Sequence, residues 1–272
     1  MKIEAYKTMK TVTEPIRIYD AENDTTWTVP RRRTNAVLAE LSERWVANVI
    51  VPEAVCRELI RVPFLEPVRT EAGYVLSLCA IFMKHAAPVW APLRRGPASP
   101  TGALRIACVG TRDGTPAVWV DHCYSDSVLV GALAKLGFPA VHAKLQVERG
   151  RDSYKHRQLN MCTRDEMIDL RLIEYPEVPR AEPKAFATAE VFEDYFVAGI
   201  RSYGPGGAAG RVAMVDLHKR SDNHFECMDR YYGYLRTAWG NWRVDGVYRT
   251  CNGLYEWCYE GDVESESGEV AV

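Results

Sequence analysis

The sequence predicts an α+β fold, in which a mixed or antiparallel sheet packs against helices. Apolar residues recur at helical spacing in several segments, whereas a stretch near the middle of the chain alternates polar and apolar residues. The first pattern is typical of amphipathic helices and the second of a half-buried strand. Along the chain the order is helices, then strands, then helix, strand and helix. That order differs from the regular alternation of a parallel fold.

Six segments are predicted to be helical. Thr34 is a suitable N-cap for the first, and Pro52 suits the first turn of the second. Gly137 can end the fourth helix, and Asn223 and Glu226 have the spacing of a capping box at the start of the last one. The predicted helices cover residues 34–48, 52–59, 72–84, 125–136, 188–201 and 223–239.

Strands are predicted from turn residues and from alternation. Asp113-Gly114 is a hairpin turn signal, and it separates the apolar runs 103–109 and 117–121. A further strand is expected over residues 211–217. From Val141 to Glu148 every second residue is apolar, and an antiparallel neighbour is expected over residues 157–163.

Composition and charge exclude several classes of protein. The chain has 272 residues, 47% of them hydrophobic and 26% charged, with a net charge of −2. These values are typical of a soluble globular protein and argue against binding of nucleic acid by bulk charge. The eight cysteines are scattered without a CxxC pair, so no metal site or disulfide scaffold is predicted. No segment resembles a membrane span or a secretory signal, and we expect a cytoplasmic location.

One domain is predicted for residues 1–258, followed by an acidic tail over residues 259–272. The tail contains five acidic residues and no basic one, so it carries −5 while the rest of the chain carries +3. Such a segment is predicted to be solvated and disordered. An acidic arm that docks on the basic surface of a partner is the alternative.

Several polar residues are candidates for binding. His142 shares the polar face of a predicted strand with Lys144 and Gln146, and such a row can form one wall of a ligand site. Arg164 and the Arg31–Arg33 cluster could hold an anion, since arginine binds oxyanions through paired hydrogen bonds.

The order of four segments resembles the thymidylate synthase superfamily. The segment RRRTNAVLAELSERW (31–45) is similar to the helix that carries that family's active-site glutamate, and FPAVHAKLQV (138–147) is similar to its nucleophile strand. The segment RQLNMCTRDEMIDL (157–170) is similar to its phosphate-binding strand, and VDLHKRSDNHFE (215–226) is similar to its sugar-binding segment. Val141 occupies the position of the family's catalytic cysteine.

The resemblance implies a protein that binds or modifies a pyrimidine nucleotide, with one-carbon transfer to C5 if it is active. It implies Glu40 as the residue that orders water, His142 at the base, and Cys162 or Cys123 as a displaced nucleophile. It also implies a folate donor and a homodimer. The residues expected to bind substrate, at the phosphate, the sugar and the wall of the site, are Arg32, Gln146, Arg164, Asp165, His218 and Asn223.

A second function remains open from the sequence. The C-terminal region is rich in aromatic residues, among them Tyr231, Tyr232, Tyr248 and Trp257. These residues suit core packing, or base stacking in a nucleic-acid site. Together with the acidic tail they suggest a non-enzymatic viral or accessory protein that acts through interactions.

Overall fold

The chain is built mainly from strands. The computed structural model describes residues 16–20, 25–29, 35–89, 91, 98–111, 114–132, 137–151, 157–165, 167–175, 177–197, 201–206 and 211–265. Within these ranges there are three helices, α1 (Glu53–Leu59), α2 (Val128–Gly131) and α3 (Ala189–Val197). The strands are β1 (Ile16–Asp20), β2 (Thr25–Val29), β3 (Asn35–Val51), β4 (Leu65–Pro67), β5 (Arg69–Thr70), β6 (Gly73–Pro88), β7 (Pro100–Gly110), β8 (Pro116–Ser125), β9 (Ala140–His142), β10 (Leu145–Arg151), β11 (Arg157–Thr163), β12 (Ile168–Glu174), β13 (Arg201–Pro205), β14 (Val212–Lys219), β15 (Glu226–Cys227), β16 (Tyr231–Thr237), β17 (Gly240–Arg243), β18 (Gly246–Cys251) and β19 (Leu254–Ser265).

Seven strands of the larger sheet close into a ring. Going around it, β3 pairs with β6, β6 with β7, β7 with β8, β8 with β13, β13 with β14 and β14 with β19. Strand β19 then pairs with β3 and completes the circle. All of these pairs are antiparallel except β8 with β13. Closure gives the sheet an inside and an outside, and residues alternate between them along each strand.

A second sheet packs on the outside of the ring. Its five strands follow the antiparallel order β10, β11, β12, β16 and β17. Leu159, Met161 and Leu170 from this sheet share one buried cluster with Leu78 and Leu104 of the ring. The two sheets approach closely at Gly102, where an added Cβ would lie 2.8 Å from both Ile168 Cδ1 and Met161 Sδ. The second sheet therefore covers one side of the ring and leaves the interior to other residues.

The predicted fold class is wrong, because the principal packing is sheet on sheet rather than sheet on helices. Helices were predicted over 34–48 and 72–84, but residues 35–48 lie in strand β3 and residues 73–84 in strand β6, and residues 223–239 contain β15 and β16 instead of a helix. Two helices were predicted correctly, as α1 and α3. The fourth is the single turn α2, in which the Ser127 hydroxyl accepts a hydrogen bond from the Val130 N–H.

The predicted strands are present. Strands β7 and β8 pair as the expected hairpin, and β10 pairs with β11 from Leu145 opposite Thr163 to Arg151 opposite Arg157. The alternation after Val141 is confirmed, because Leu145 is buried between the sheets while His142 and Gln146 are exposed.

The acidic segment differs from the solvated tail that the sequence suggests. Strand β19 continues to Ser265, and Tyr259 and Val263 are buried. The Tyr259 hydroxyl donates to Asp262 Oδ1 at 2.7 Å, and Arg211 pairs with Asp262 at 3.0 Å. Residues 266–272 lie outside the described ranges. None of the helices in the described part of the chain is long and apolar enough to cross a membrane.

This strand allows a test by truncation. A chain that ends after Tyr259 should lose at least about 2 kcal/mol of stability, the scale of one buried valine side chain. Its melting temperature should fall by roughly 4–8 °C. A chain that ends after Ser265 keeps β19 and serves as the control, with a melting temperature close to that of the full chain. Equal melting temperatures for both truncations would contradict the strand.

Candidate functional site

The interior of the ring contains two arginines, which we call the arginine pair. Arg44 comes from β3 and Arg105 from β7. The Arg44 guanidinium carbon lies 4.2 Å from the centroid of the Tyr255 ring and 5.7 Å from that of Phe196. The Arg105 guanidinium carbon lies 3.9 Å from the same Phe196 ring. Phe196 belongs to α3, so this helix covers both cations from one side.

A β-bulge in β3 turns Arg44 inward. Ala39 and Leu41 point into the ring, and regular alternation would continue with Glu43. The register shifts between Leu41 and Glu43, which leaves Ser42 as an extra residue. After this bulge Arg44 faces inward, and Glu43 faces outward to Arg149, with the two side chains 2.9 Å apart. The bulged pairing therefore decides that Arg44, and not Glu43, faces the interior.

The arginine pair has no anionic partner among the described residues. Arg44 is only 2% exposed, and its Nε is buried without a hydrogen bond. Burial lowers the pKa of Arg105 from its ordinary value, and the charge of Arg44 acts in the same direction. Removing a charge from water is costly unless it is paired. Aromatic faces offset part of that cost, but two neighbouring cations in one interior are the arrangement expected of a site for an anion.

An apolar cavity of about 120 Å³ adjoins the arginine pair. All seven strands of the ring contribute to its wall, together with Val130 and the segment 138–140. Two of its wall residues are direct strand neighbours of the pair, since Ile81 is opposite Arg44 and Val120 is opposite Arg105. Neither arginine lines the cavity itself, so the two cations lie beside its wall and give the neighbourhood a charged side and an apolar side.

Thr101 supplies the unpaired polar group of the cavity wall. It lies on β7 opposite Ile81, so Arg44, Ile81 and Thr101 form a row across three strands. Thr101 is 4% exposed, and its hydroxyl has no hydrogen-bond partner among the described residues. The other hydroxyl of the wall, on Ser202, donates to the Val215 carbonyl at 2.9 Å. A buried hydroxyl without a partner costs free energy, which a ligand oxygen would recover.

The nucleophiles inside the ring are not activated. Burial raises the pKa of the Cys123 thiol to about 12, so the thiol stays protonated near neutral pH. Because the thiolate is the reactive form, Cys123 does not fit the role of a displaced nucleophile. None of the lysines in the described ranges (Lys84, Lys144, Lys184 and Lys219) lines the cavity.

The catalytic residues predicted from the sequence lie apart from the arginine pair. Glu40 pairs with Lys84, with 3.2 Å between Oε1 and Nζ. His142 is exposed, and its Nε2 lies 3.1 Å from the Asp126 carbonyl oxygen. Cys162 lies on the second sheet, where its Sγ is 3.8 Å from Gln146 Oε1. Residue Arg32 lies outside the described ranges.

The predicted binding residues fall into two places. Gln146 and Arg164 line one groove on the second sheet, with Asp165 next in the chain. His218 is on β14, opposite Glu256. Asn223 donates to Thr250 Oγ1 at 2.6 Å and lies 3.4 Å from the Tyr255 hydroxyl, so it supports the ring that packs on Arg44. Apart from this indirect contact, the structure does not bring His218 or Asn223 to the phosphate-binding candidates.

Sequence reasoning missed Arg44, Arg105 and Thr101. Arg44 falls within the segment 31–45 but was given no role there, and no motif contains Arg105 or Thr101, because the three residues come from two strands whose contact depends on the intervening β6. One signal was available: Arg105 stands inside the apolar run ALRIACV, and Arg44 directly precedes the largely apolar run WVANVIV. A charged residue inside a buried run indicates either a bulge or a site.

The architecture belongs to the class of folds found in acetoacetate decarboxylase-like proteins. An acetoacetate decarboxylase-like enzyme from Sphingomonas wittichii RW1 matches with a TM-score of 0.51 and 13% identity, over 84% of this chain and 92% of that one. Acetoacetate decarboxylase from Legionella pneumophila matches with a TM-score of 0.52 and 11% identity, over 88% and 92%. The enduracididine biosynthesis enzyme MppR in complex with pyruvate matches with a TM-score of 0.50 and 10% identity, over 85% and 89%. No family model matches the sequence, and no curated protein is similar to it in sequence.

These likenesses show the fold and correct the resemblance drawn from the sequence. The assignment to the thymidylate synthase superfamily is wrong, and the pyrimidine function and transferase chemistry that followed from it are not supported. The folate donor was an implication of that resemblance alone. Most of the aromatic residues invoked for an interaction protein belong to the core, since Tyr231 and Tyr248 are buried while Tyr232 is exposed.

The raised pKa of Cys123 predicts slow alkylation. A pH of 8 lies far below the pKa of the Cys123 thiol in the native protein. Iodoacetamide should therefore modify Cys123 roughly a hundredfold more slowly in the native protein than in denaturant. Peptide mass spectrometry over a time course measures both rates. Rapid native labelling of Cys123 would mean that the thiol is ionised and would reopen its role as a nucleophile.

The unpaired charge of Arg44 predicts an unusual gain in stability. Arg44→Met keeps most of the side-chain length and removes the charge, so the ligand-free protein should become more stable by about 1–4 kcal/mol. Urea unfolding provides the measurement. Arg57→Met is the matched control, because Arg57 is exposed and pairs with Glu53 on the surface. Destabilisation by Arg44→Met would show that the aromatic contacts outweigh the cost of burial.

Proposed function

We propose that this protein binds a small oxo acid inside the ring, with the carboxylate held by the arginine pair. The observation that carries the proposal is that Arg44 is buried and Arg105 half-buried, and that neither has an anionic partner among the described residues. A guanidinium group matches a carboxylate through two parallel hydrogen bonds. Such a bond is strongest where water is excluded, as it is between Phe196 and Tyr255.

The cavity indicates the rest of the ligand. Its wall is apolar at Ile81, Phe138 and Trp257, which favours an aliphatic tail. Its volume of about 120 Å³ corresponds to roughly four water molecules, so the tail is short. Thr101 lies in the same row across the strands as Arg44, with Ile81 between them, and its unpaired hydroxyl can donate to a carbonyl oxygen. Carboxylate, carbonyl and short tail together describe an oxo acid.

The structural neighbours support the same class of ligand. The name of the Legionella pneumophila enzyme gives acetoacetate as its substrate, and MppR was solved in complex with pyruvate. Both molecules are short oxo acids.

The proposal concerns binding and not Schiff-base chemistry. An iminium intermediate requires an amine beside the carbonyl carbon, and none of the four described lysines lines the cavity. The described residues supply two positive charges from the arginine pair, a neutral hydroxyl from Thr101 and an apolar cavity wall.

Calorimetric titration tests the proposal with 4-methyl-2-oxopentanoate, acetoacetate and pyruvate. Arg44→Met and Arg105→Met should each weaken binding by about tenfold or more, as expected for hydrogen bonds to a charged group. Arg57→Met should leave affinity unchanged. Failure of all three acids to bind to the parent protein would refute the proposal.

Thr101→Val separates recognition of the carbonyl from recognition of the carboxylate. The substitution keeps the shape of the side chain and removes the hydroxyl. It should weaken binding of 4-methyl-2-oxopentanoate by roughly three- to tenfold, the scale of a neutral hydrogen bond. It should leave 4-methylpentanoate, which lacks the oxo group, unaffected. Equal losses for the two acids would show that Thr101 does not contact the carbonyl.

A further inference from the structure

The outer face of the second sheet contains a groove of about 400 Å³ that is remote in sequence from the arginine pair. We call it the basic groove. Its floor is a row of four residues in register across β10, β11, β12 and β16: Gln146 opposite Cys162, Cys162 opposite Asp169, and Asp169 opposite Arg236. Because the strands are hydrogen-bonded neighbours, the side chains of this row stand side by side on a rigid element.

Asp169 holds two arginines in place. Its Oδ1 accepts from Arg171 Nε at 2.9 Å, and its Oδ2 lies 3.4 Å from Arg236 Nη2. Asp169 is buried while both guanidinium groups are largely exposed. One carboxylate thus fixes two cations and neutralises only one of them. Fixed guanidinium groups lose less conformational freedom when they bind an anion.

Two further cations stand at the other end of the row. The Arg164 N–H donates to the Lys144 carbonyl at 3.0 Å, which places the two side chains next to each other. Neither side chain forms an ion pair within the part of the chain that the structure describes. The neighbouring Asp165 instead accepts a hydrogen bond from the Met167 N–H at 3.5 Å. With four cations and one carboxylate, the lining of the basic groove carries +3 in a protein whose net charge is −2.

We propose that the basic groove binds a phosphoryl group, as inorganic phosphate or as a phosphomonoester. A dianion with three or four acceptor oxygens matches several converging donors better than a single carboxylate does. The positively charged surface is also confined to the groove, because carboxylates lie beside it. Glu148, two residues beyond Gln146, accepts from Asn160 at 3.2 Å, and Glu174 lies 3.6 Å from Arg157 farther along the sheet. These carboxylates limit the groove to one compact anion and disfavour a polymer that would follow the sheet. This site is independent of the oxo-acid site.

Calorimetric titration with sodium phosphate and with glycerol 3-phosphate, at constant ionic strength, tests the proposal. Arg164→Ala and Lys144→Ala remove exposed side chains and should leave the melting temperature unchanged. Each should weaken binding by about tenfold or more, equivalent to about 1.4 kcal/mol. Arg57→Ala, which removes an exposed arginine elsewhere, should change affinity by less than twofold. Tighter binding of phosphate or of the ester identifies the source of the phosphoryl group.

Arg44→Met separates the two sites. Phosphate binding should persist in this variant while binding of oxo acids weakens by about tenfold or more. Loss of phosphate binding in Arg44→Met, with full binding in Arg164→Ala, would place the anion inside the ring and overturn the proposal. Absence of saturable binding by both phosphate and glycerol 3-phosphate would also overturn it.

Discussion

The pairing of β19 with β3 is the interaction on which the rest of the structure depends. It joins the C-terminal strand to the first long strand and turns an open sheet into a ring. A closed sheet has an interior that is shielded from water, and there a guanidinium group attracts an anion more strongly than it does on the surface. Tyr255, whose ring packs on Arg44, lies on the same strand that makes the closure. Closure of the ring and the surroundings of Arg44 therefore depend on the same strand.

The two proposed sites differ in what surrounds their neighbouring cations. Inside the ring, aromatic rings surround the arginines and no described carboxylate balances them. On the second sheet, Asp169 balances its arginines in part, and water screens the remainder. The interior site favours strong binding of a small ligand with an apolar part. The outer site favours a more highly charged and fully polar ligand.

Unbroken alternation made strand β10 readable from the sequence, whereas the bulge in β3 hid that strand. From Val141 onward the alternation is unbroken, and the sequence predicts both strand β10 and its pairing with β11. In β3 the extra residue at Ser42 shifts the inward set from odd to even positions. Apolar residues then recur at Val37, Leu41 and Trp45, which is helical spacing. The closure by β19 depends on contacts between distant parts of the chain, which no local pattern reports.

The bulge at Ser42 also makes the interior sensitive to the register of one strand. If β3 kept Ser42 but paired without the bulge, the alternation would be regular, so that Glu43 would point into the ring and Arg44 out of it. The interior would then present one cation and one carboxylate, which neutralise each other. A pocket selective for anions would become one without a net charge, although the amino-acid composition of the strand would not change. In this fold a change of register at one position can alter ligand selectivity more than most substitutions do.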